Sequence, residues 1–251
     1  MEVVPGLHWI ERIWDTKVYV LFKAERVIVI DAATPGRAAA VWRYLDSLGY
    51  APEMVDEIWL THADIDHMGS VAALKAGSGA RVVAHRADAP LVDGSANREL
   101  GPVPLSGGYQ RLFNWAVRNL FRYQPTPVDR LVDDGEDLGS WQVVHTPGHT
   151  PDSMCIHVKD ELVTGDTLFV GKIGGTATRK EAETEFQSLM ILMEMEPHIR
   201  IWPGHNYGVA KSSTIGHELE TNPFLQRLDD FSAFYWLKQN WADYKLRHGI
   251  K

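Results

Sequence analysis

The chain has 251 residues, of which 45% are hydrophobic and 23% are charged. This length and composition are ordinary for a globular protein with a large core and argue against disorder. With 25 basic and 33 acidic residues the formal net charge is −8, so a nucleic-acid backbone would be repelled. A small-molecule substrate is favoured instead.

The only cysteine, Cys155, cannot form an intrachain disulfide, which suits a reducing cytosol. The first fifteen residues do not show a basic region followed by an apolar core, and no apolar run approaches the roughly 18 residues of a membrane span. We therefore expect a single domain over residues 1–251 that is cytoplasmic and has no membrane partner.

The first half of the chain alternates between strand and helix patterns. Its predicted elements are a hairpin over residues 17–31, a helix over 37–48, a strand over 57–60, a helix over 68–75 and a strand over 80–85. Residues 88–127 interrupt this pattern and are rich in Gly and Pro at their ends. They predict a helical insertion, which either packs on the core or acts as a lid.

The second half repeats the alternation and ends in a helical tail. Its predicted elements are strands over residues 141–145, 154–158 and 161–164, a helix over 180–195, a strand over 199–202 and a helical tail from about 223. Strands that alternate with helices, yet include hairpins, predict an α/β fold of mixed sheets with helices packed outside. Trp236 and Trp241 indicate a tail helix packed on its own domain, with a homodimer contact as the second interpretation.

Four side chains that can bind metals fall within six residues: His62, Asp64, Asp66 and His67. They follow a predicted strand directly and precede a helix. Imidazole and carboxylate groups suit zinc, iron or manganese, and an irregular loop allows them to converge on one point. The alternative is an ordinary surface loop that happens to contain such residues.

Three later segments end strands with further potential ligands. His149 lies in the tight turn Thr-Pro-Gly-His, Asp166 in Thr-Gly-Asp-Thr and His205 in Trp-Pro-Gly-His. Each segment alone is a weak signal. All four in this order predict a metal site, because strand ends can gather distant residues at one edge of a sheet.

This order of motifs resembles the metallo-β-lactamase superfamily, in which His-x-His-x-Asp-His is followed by Gly-His, Gly-Asp and a final Gly-His. The resemblance covers about residues 3–225, and IWPGHNYGVAKSSTIGHELETNPFL is similar to the C-terminal motif of glyoxalase II-like hydrolases. It implies a four-layer αββα sandwich of two mixed sheets, with two divalent metal ions at one edge. Zinc is the first choice, with iron or manganese as alternatives.

The resemblance also implies a ligand set. One metal would take His62, position 64 and His149, the other would take Asp66, His67 and His205, and Asp166 would bridge the two. This chain has Asp64 where the family usually has His, although flavodiiron proteins of the superfamily have Glu there. Oxygen ligands shift the preference toward iron or manganese, and Asp64 could instead lie outside the ligand set.

A metal-bound hydroxide would then attack an ester, thioester or lactone of a small acidic metabolite. Asp66 would orient this hydroxide and accept its proton. Arg179, Lys180, Lys172 and Tyr207 are the candidates for holding the anionic group of the substrate, although each could equally be a structural or solvated residue.

Two other functions stay open at this point. One is a persulfide dioxygenase-like oxidoreductase with a single iron, and the other is a non-catalytic homologue whose metal site is weakened at Asp64. His145 and His85 are expected to be structural histidines, and Cys155 is expected to be buried in a strand.

Overall fold

The computed structural model describes residues 1–11, 13, 16–23, 26–96, 123–139, 141–208 and 210–250. The helix predicted within residues 88–127 lies outside the described residues. Clustering of backbone contacts divides the chain into two compact units, unit 1 (Met1–Val132) and unit 2 (Asp133–Lys251). The expectation of a single domain stays a prediction.

Unit 1 contains a seven-stranded mixed sheet whose strands lie side by side in chain order. The strands are β1 (Glu2–Val4), β2 (Leu7–Trp9), β3 (Tyr19–Lys23), β4 (Arg26–Ile30), β5 (Val55–Trp59), β6 (Arg81–His85) and β7 (Arg130–Val132). Neighbours from β1 to β4 are antiparallel, and neighbours from β4 to β7 are parallel. The predicted hairpin over residues 17–31 is therefore confirmed as β3 and β4.

Among its described residues unit 1 has the helices α1 (Ala38–Asp46), α2 (Ile65–Met68), α3 (Val71–Ser78) and α4 (Ala89–Val92), with a 3₁₀ turn at Pro52–Met54. Val41 of α1 and Leu74 of α3 are fully buried in one apolar cluster with Val29 of β4 and Ile58 of β5. The apolar spacing within α1 thus places its buried stripe in the core of unit 1, as the helical periodicity predicts.

The predicted helix over residues 68–75 is wrong at its start, since two short helices, α2 and α3, replace it. Gly69 separates them, and a Cβ there would lie 2.3 Å from Cδ of Pro35. Ser70 N–H also donates to the Ala33 carbonyl at 3.2 Å. The helix is interrupted because this segment packs against the loop that follows β4. Helical periodicity cannot show such a long-range contact.

Unit 2 contains a five-stranded sheet and a two-stranded hairpin. The strands are β8 (Gln142–His145), β9 (Met154–Val158), β10 (Glu161–Gly165), β11 (Leu168–Phe169), β12 (Lys172–Ile173), β13 (Arg200–Pro203) and β14 (Ser213–Thr214). The sheet order is β14-β13-β10-β9-β8, with β11 and β12 forming the separate hairpin. Strands β10 and β13 are parallel, and the other pairs are antiparallel.

The helices of unit 2 are α5 (Arg179–Met193), α6 (Ile215–Thr221), α7 (Phe231–Gln239) and α8 (Trp241–His248), with a 3₁₀ turn at Leu225–Arg227. Helix α5 begins with a capping box between Thr178 and Glu181, which satisfies backbone N–H groups at its N-terminus. Phe186 of α5 meets Phe234 of α7 edge to face, with ring centroids 5.2 Å apart. Trp241 packs on Phe224, whereas Trp236 is half exposed.

The predicted strands of the second half, the helix over 180–195 and the helical tail are confirmed, with ends shifted by a few residues. The pattern missed short elements such as β11, β12 and α6. The expected α/β class with two mixed sheets and helices is confirmed. None of the helices in the described ranges is both long enough and apolar enough to cross a bilayer.

Candidate metal centre

In unit 1 the loop after β5 brings two buried histidine rings together. His62 and His67 are 1% and 0% exposed, and their ring centroids lie 4.0 Å apart. The Asp64 carbonyl accepts the N–H groups of His67 and Met68, each at 2.9 Å. This single turn of α2 places His67 beside His62, so the two imidazoles can face the same point although they are five positions apart.

Asp31 fixes this loop from behind. It directly follows β4, has a φ of +63° and is fully buried. One carboxylate oxygen accepts the Thr61 N–H at 2.8 Å, and the other lies 2.8 Å from Nδ1 of His67. The Thr61 hydroxyl lies 3.1 Å from Nδ1 of His62. Because Nδ1 of each ring is engaged, Nε2 is the nitrogen suited to a metal.

Each Nε2 faces the carboxylate of a neighbour in the loop. Nε2 of His62 lies 3.7 Å from Oδ2 of Asp64, and Nε2 of His67 lies 3.9 Å from Oδ2 of Asp66. These separations exceed hydrogen-bond lengths. Two atoms that ligate one cation at about 2.0–2.2 Å lie roughly 3.3–4.0 Å apart at angles between the tetrahedral value and about 130°. The loop therefore has the spacing of a ligand set.

The conformation of Asp64 bears on the departure from the family motif. Asp64 precedes α2 at the N-cap position, where an Asp side chain usually accepts backbone N–H groups. Its side chain makes no such capping bond, is a third exposed and faces Nε2 of His62 instead. This orientation favours a metal ligand over a purely structural residue.

In unit 2 the carboxylate of Asp166 faces two imidazoles. Its Oδ2 lies 3.3 Å from Nε2 of His205 and 3.7 Å from Nε2 of His149. Strands β10 and β13 run in parallel, and Gly204 N–H donates to the Gly165 carbonyl at 2.7 Å. Because the two strands end side by side, Asp166 and His205 lie together. One oxygen facing two imidazoles is the arrangement expected of a bridging carboxylate.

The turn that presents His149 depends on glycine. Gly148 has a φ of +148°, and a Cβ there would lie 2.3 Å from Cβ of Glu185 on α5. Nδ1 of His149 lies 2.7 Å from the carbonyl oxygen of Gly175, so Nε2 is again the nitrogen on the Asp166 side. The predicted tight turn thus brings the backbone into close contact with a helix.

Two of the four proposed substrate residues lie near His205. The ring of Tyr207 stacks on that of His205 with centroids 4.5 Å apart, and Nζ of Lys172 lies 4.7 Å from the Tyr207 centroid. The pKa of Lys172 is lowered, mainly because its side chain is buried. The Arg179 guanidinium packs over the rings of Phe231 and Tyr235. Lys180 is exposed at the start of α5.

Two carboxylates that were not predicted from the sequence support the unit 1 loop. Asp31 orients His67 and Thr61, and the fully buried Asp88 accepts the Ala63 N–H at 3.1 Å. An Asp that follows an apolar strand, as in VIVID, is the available signal for Asp31. It resembles many structural residues, so pattern alone does not single it out.

The two histidines and the cysteine that were expected to be structural lie outside the candidate ligand clusters. Nε2 of His145 lies 3.1 Å from the Pro151 carbonyl, and His85 is buried at the end of β6. Cys155 is buried, as expected, and burial raises the pKa of its thiol to about 11. A neutral thiol is a poor metal ligand and a poor nucleophile.

The chemistry of these donor side chains fits a divalent metal. Imidazole nitrogens with engaged Nδ1 atoms and carboxylate oxygens at ligand spacing are what zinc, iron and manganese require. The described residues include groups of histidine and aspartate side chains that could hold a metal ion.

Sequence comparison supports the same conclusion. The family model of the metallo-β-lactamase superfamily matches residues 13–205. An uncharacterized protein of Mycobacterium leprae is 33% identical over 212 residues, covering 80% of this chain and 88% of that protein. A probable polyketide biosynthesis zinc-dependent hydrolase of Bacillus velezensis, BaeB, is 37% identical over 83 residues, covering 32% of this chain and 37% of BaeB.

Solved structures share the fold. A di-iron-bound form of the protein TTHA1623 has a TM-score of 0.64 and 28% identity, covering 84% of this chain and 95% of that chain. ETHE1 from Myxococcus xanthus has a TM-score of 0.67 and 20% identity, covering 94% and 90%. With the family model matching most of its length, the chain belongs to the metallo-β-lactamase superfamily and resembles the metal-dependent hydrolases within it.

Proposed function

We propose that this protein is a hydrolase with a dinuclear metal centre that cleaves an ester, thioester or lactone bond of a small acidic metabolite. The observation that carries the proposal is the Oδ2 atom of Asp166, which faces both His149 and His205 at 3.3–3.7 Å. A carboxylate with this surrounding can join two cations, and a water shared by two cations is the nucleophile that hydrolysis needs.

The resemblance to the family implies which residues would hold the metals. His62, Asp64 and His149 would hold one metal, Asp66, His67 and His205 would hold the other, and Asp166 would be shared by both. Within each unit, ligands assigned to the same metal lie 3.3–3.9 Å apart, which supports this assignment.

Bound divalent metals supply Lewis acidity and a water of lowered pKa. The protein's own residues orient the groups around them. Asp66 accepts the proton of the attacking water, and its Oδ2 lies 3.5 Å from the Thr16 hydroxyl, which steadies the carboxylate. Asp31 holds His67, and the Gly175 carbonyl holds His149.

Unit 2 has a cavity of about 420 Å³, a volume typical of small-molecule sites. The basic side chains that line it support an acidic substrate. Lys172, Lys245 and His217 line the cavity beside Tyr207. We assign Lys172 and Tyr207 to the substrate because Tyr207 stacks on the metal ligand His205. Arg179 and Lys180 are not among the described residues lining this cavity, so the cavity does not support a substrate role for them.

Zinc is the metal we propose first, because BaeB carries the name of a zinc-dependent hydrolase. Iron is the main alternative, because TTHA1623 was solved in a di-iron-bound form and Asp64 adds an oxygen ligand where the family usually has His. Elemental analysis of the purified protein decides between them and gives the number of ions per chain.

A hydrolysis panel tests the proposal. The protein, loaded in turn with zinc, iron and manganese, is assayed with esters, thioesters, lactones and phosphodiesters while O₂ uptake is recorded. We expect turnover of an acidic ester, thioester or lactone without O₂ uptake, abolished by a chelator and by Asp66→Asn. One iron per chain with O₂ consumption would support a dioxygenase instead. Two bound metals without turnover of any ester, thioester or lactone would contradict a hydrolase.

A further inference from the structure

A glycine turn contacts the imidazole of His149. Its Nδ1 lies 2.7 Å from the Gly175 carbonyl oxygen, and a carbonyl can only accept a hydrogen bond. Nδ1 therefore carries a proton, and in the neutral imidazole Nε2 carries the lone pair. The preceding residue, Gly174, is packed so closely that a Cβ there would lie 2.3 Å from the Asp166 carbonyl oxygen and 3.0 Å from Cβ of His149.

A buried ion pair holds this turn in place. Nζ of Lys238, on α7, donates to the Gly174 carbonyl at 3.0 Å and to Oε2 of Glu185 on α5. The side chains of Lys238 and Glu185 are 9% and 1% exposed. The cation of one helix and the carboxylate of another thus meet at the backbone of the residue next to Gly175.

Helix α5 also supports the turn that carries His149 itself. The Ser188 hydroxyl donates to the Pro147 carbonyl at 2.6 Å. A Cβ on Gly148 would lie 2.3 Å from Cβ of Glu185. Glu185 therefore packs against the His149 turn and binds the lysine that fixes the Gly174 carbonyl.

Burying an ion pair costs desolvation, so such a pair is weak evidence for a role in stability alone. We infer that Lys238 and Glu185 are positioning residues that hold the Gly174–Gly175 turn and thereby set the orientation and tautomer of His149. This inference rests on the proposed role of His149 as a metal ligand. Its consequence is that metal affinity depends on a lysine in the C-terminal helical region that touches no ligand.

Imidazole ¹⁵N NMR on the metal-free protein reads the tautomer directly. We expect wild-type His149, assigned by its loss in His149→Ala, to show one tautomer protonated at Nδ1. Lys238→Met, which keeps the apolar stem but removes the donor, should give a mixture of tautomers. Lys238→Arg, which keeps the charge and a donor, should restore most of the wild-type signal.

Competition with a chelator then measures zinc affinity in the same variants. Loss of a group that orients a ligand weakens metal binding roughly 10–100-fold, so we expect that loss in Lys238→Met. The matched control is Leu237→Ala, which removes a fully buried side chain of the same helix but leaves the Lys238 contacts in place. Its zinc affinity should stay within about twofold of wild type.

The outcomes separate this inference from the proposed function. Should Lys238→Met fail to fold, the double variant Lys238→Met with Glu185→Gln removes both buried charges and should show the same mixed tautomer. A single Nδ1-protonated His149 in these variants, or equal losses of affinity in Leu237→Ala and Lys238→Met, would overturn the positioning role. A wild-type protein that binds no zinc, iron or manganese would contradict the proposed function, while the NMR result would still decide what Lys238 does.

Discussion

The two clusters of candidate metal ligands are built in different ways. In unit 1 four donors come from one loop of six residues, and the buried side chain of Asp31 holds His67. In unit 2 three donors come from three separate strand ends, and a backbone carbonyl, that of Gly175, holds His149. The cluster in unit 1 therefore depends on a buried side chain, which a point mutation can remove. The cluster in unit 2 depends on the close packing of a glycine backbone.

The largest effect should come from the glycine packing of unit 2. In Gly174→Ala the new Cβ would lie 2.3 Å from the Asp166 carbonyl oxygen, and because this is backbone, the strain cannot be relieved by a rotamer change. We expect the free energy of unfolding, measured by chemical denaturation, to fall by about 3 kcal/mol. Gly175→Ala is the control, because a Cβ there meets nothing within 4 Å. Equal stability of the two variants would show that the packing is not limiting.

Unit 1 should respond to Asp31→Asn through metal affinity more than through stability. The amide cannot accept from both Thr61 and His67 as the carboxylate does, so His67 loses its fixed tautomer. We expect zinc affinity to fall roughly 10–100-fold and the free energy of unfolding to fall by about 1–2 kcal/mol. Asp56→Asn, which alters a surface pair with Arg26, is the control. Unchanged zinc affinity in Asp31→Asn would remove the distinction between the clusters.

Variants of Asp64 test whether this residue of the unit 1 loop is a metal ligand. As a ligand, its loss in Asp64→Ala should lower the affinity of one of the two ions at least roughly tenfold, since even outer-shell partners contribute that much. Asp64→His should restore binding and shift the preference from iron or manganese toward zinc. Titration with each metal measures both effects. Full occupancy of Asp64→Ala at wild-type affinity would place Asp64 outside the ligand set.

The smallest effect concerns Cys155 in unit 2, which lies outside the cluster. Its thiol has a pKa raised by burial to about 11, so at pH 8 only about 0.1% is thiolate. Iodoacetamide should leave the native protein unmodified and label it once unfolded. Because the folded protein has the higher thiol pKa, the free energy of unfolding falls as the pH rises from about 9 through about 11. Rapid labelling of the native protein would contradict this burial.

The same contrast explains what could be predicted from the sequence. The loop from His62 to His67 is visible because its donors are adjacent, and the strand-end turns are visible because Pro and Gly precede each histidine. The long strands and helices follow from apolar periodicity. The alternation of strands and helices predicts the α/β fold, and the resemblance to a family then implied the four-layer arrangement and the pairing of ligands.

The missed features depend on contacts between distant residues. Asp31 lies 36 positions before His67, and Lys238 lies 64 positions after Gly174, so neither partnership leaves a local pattern. The hairpin of β11 and β12 has two residues in each strand, which is too short for alternation to show. The break at Gly69 reflects packing on Pro35, which no single-segment pattern encodes.

Anomalous X-ray diffraction from crystals of the metal-loaded protein, recorded at the absorption edge of the bound metal, would locate the ions and their ligands. We expect two peaks per chain, the first ligated by His62 and His149, the second by His67 and His205, with Asp166 contacting both ions. Peaks whose ligands come from only one of the two clusters, or no peak beside Asp166, would contradict this expectation.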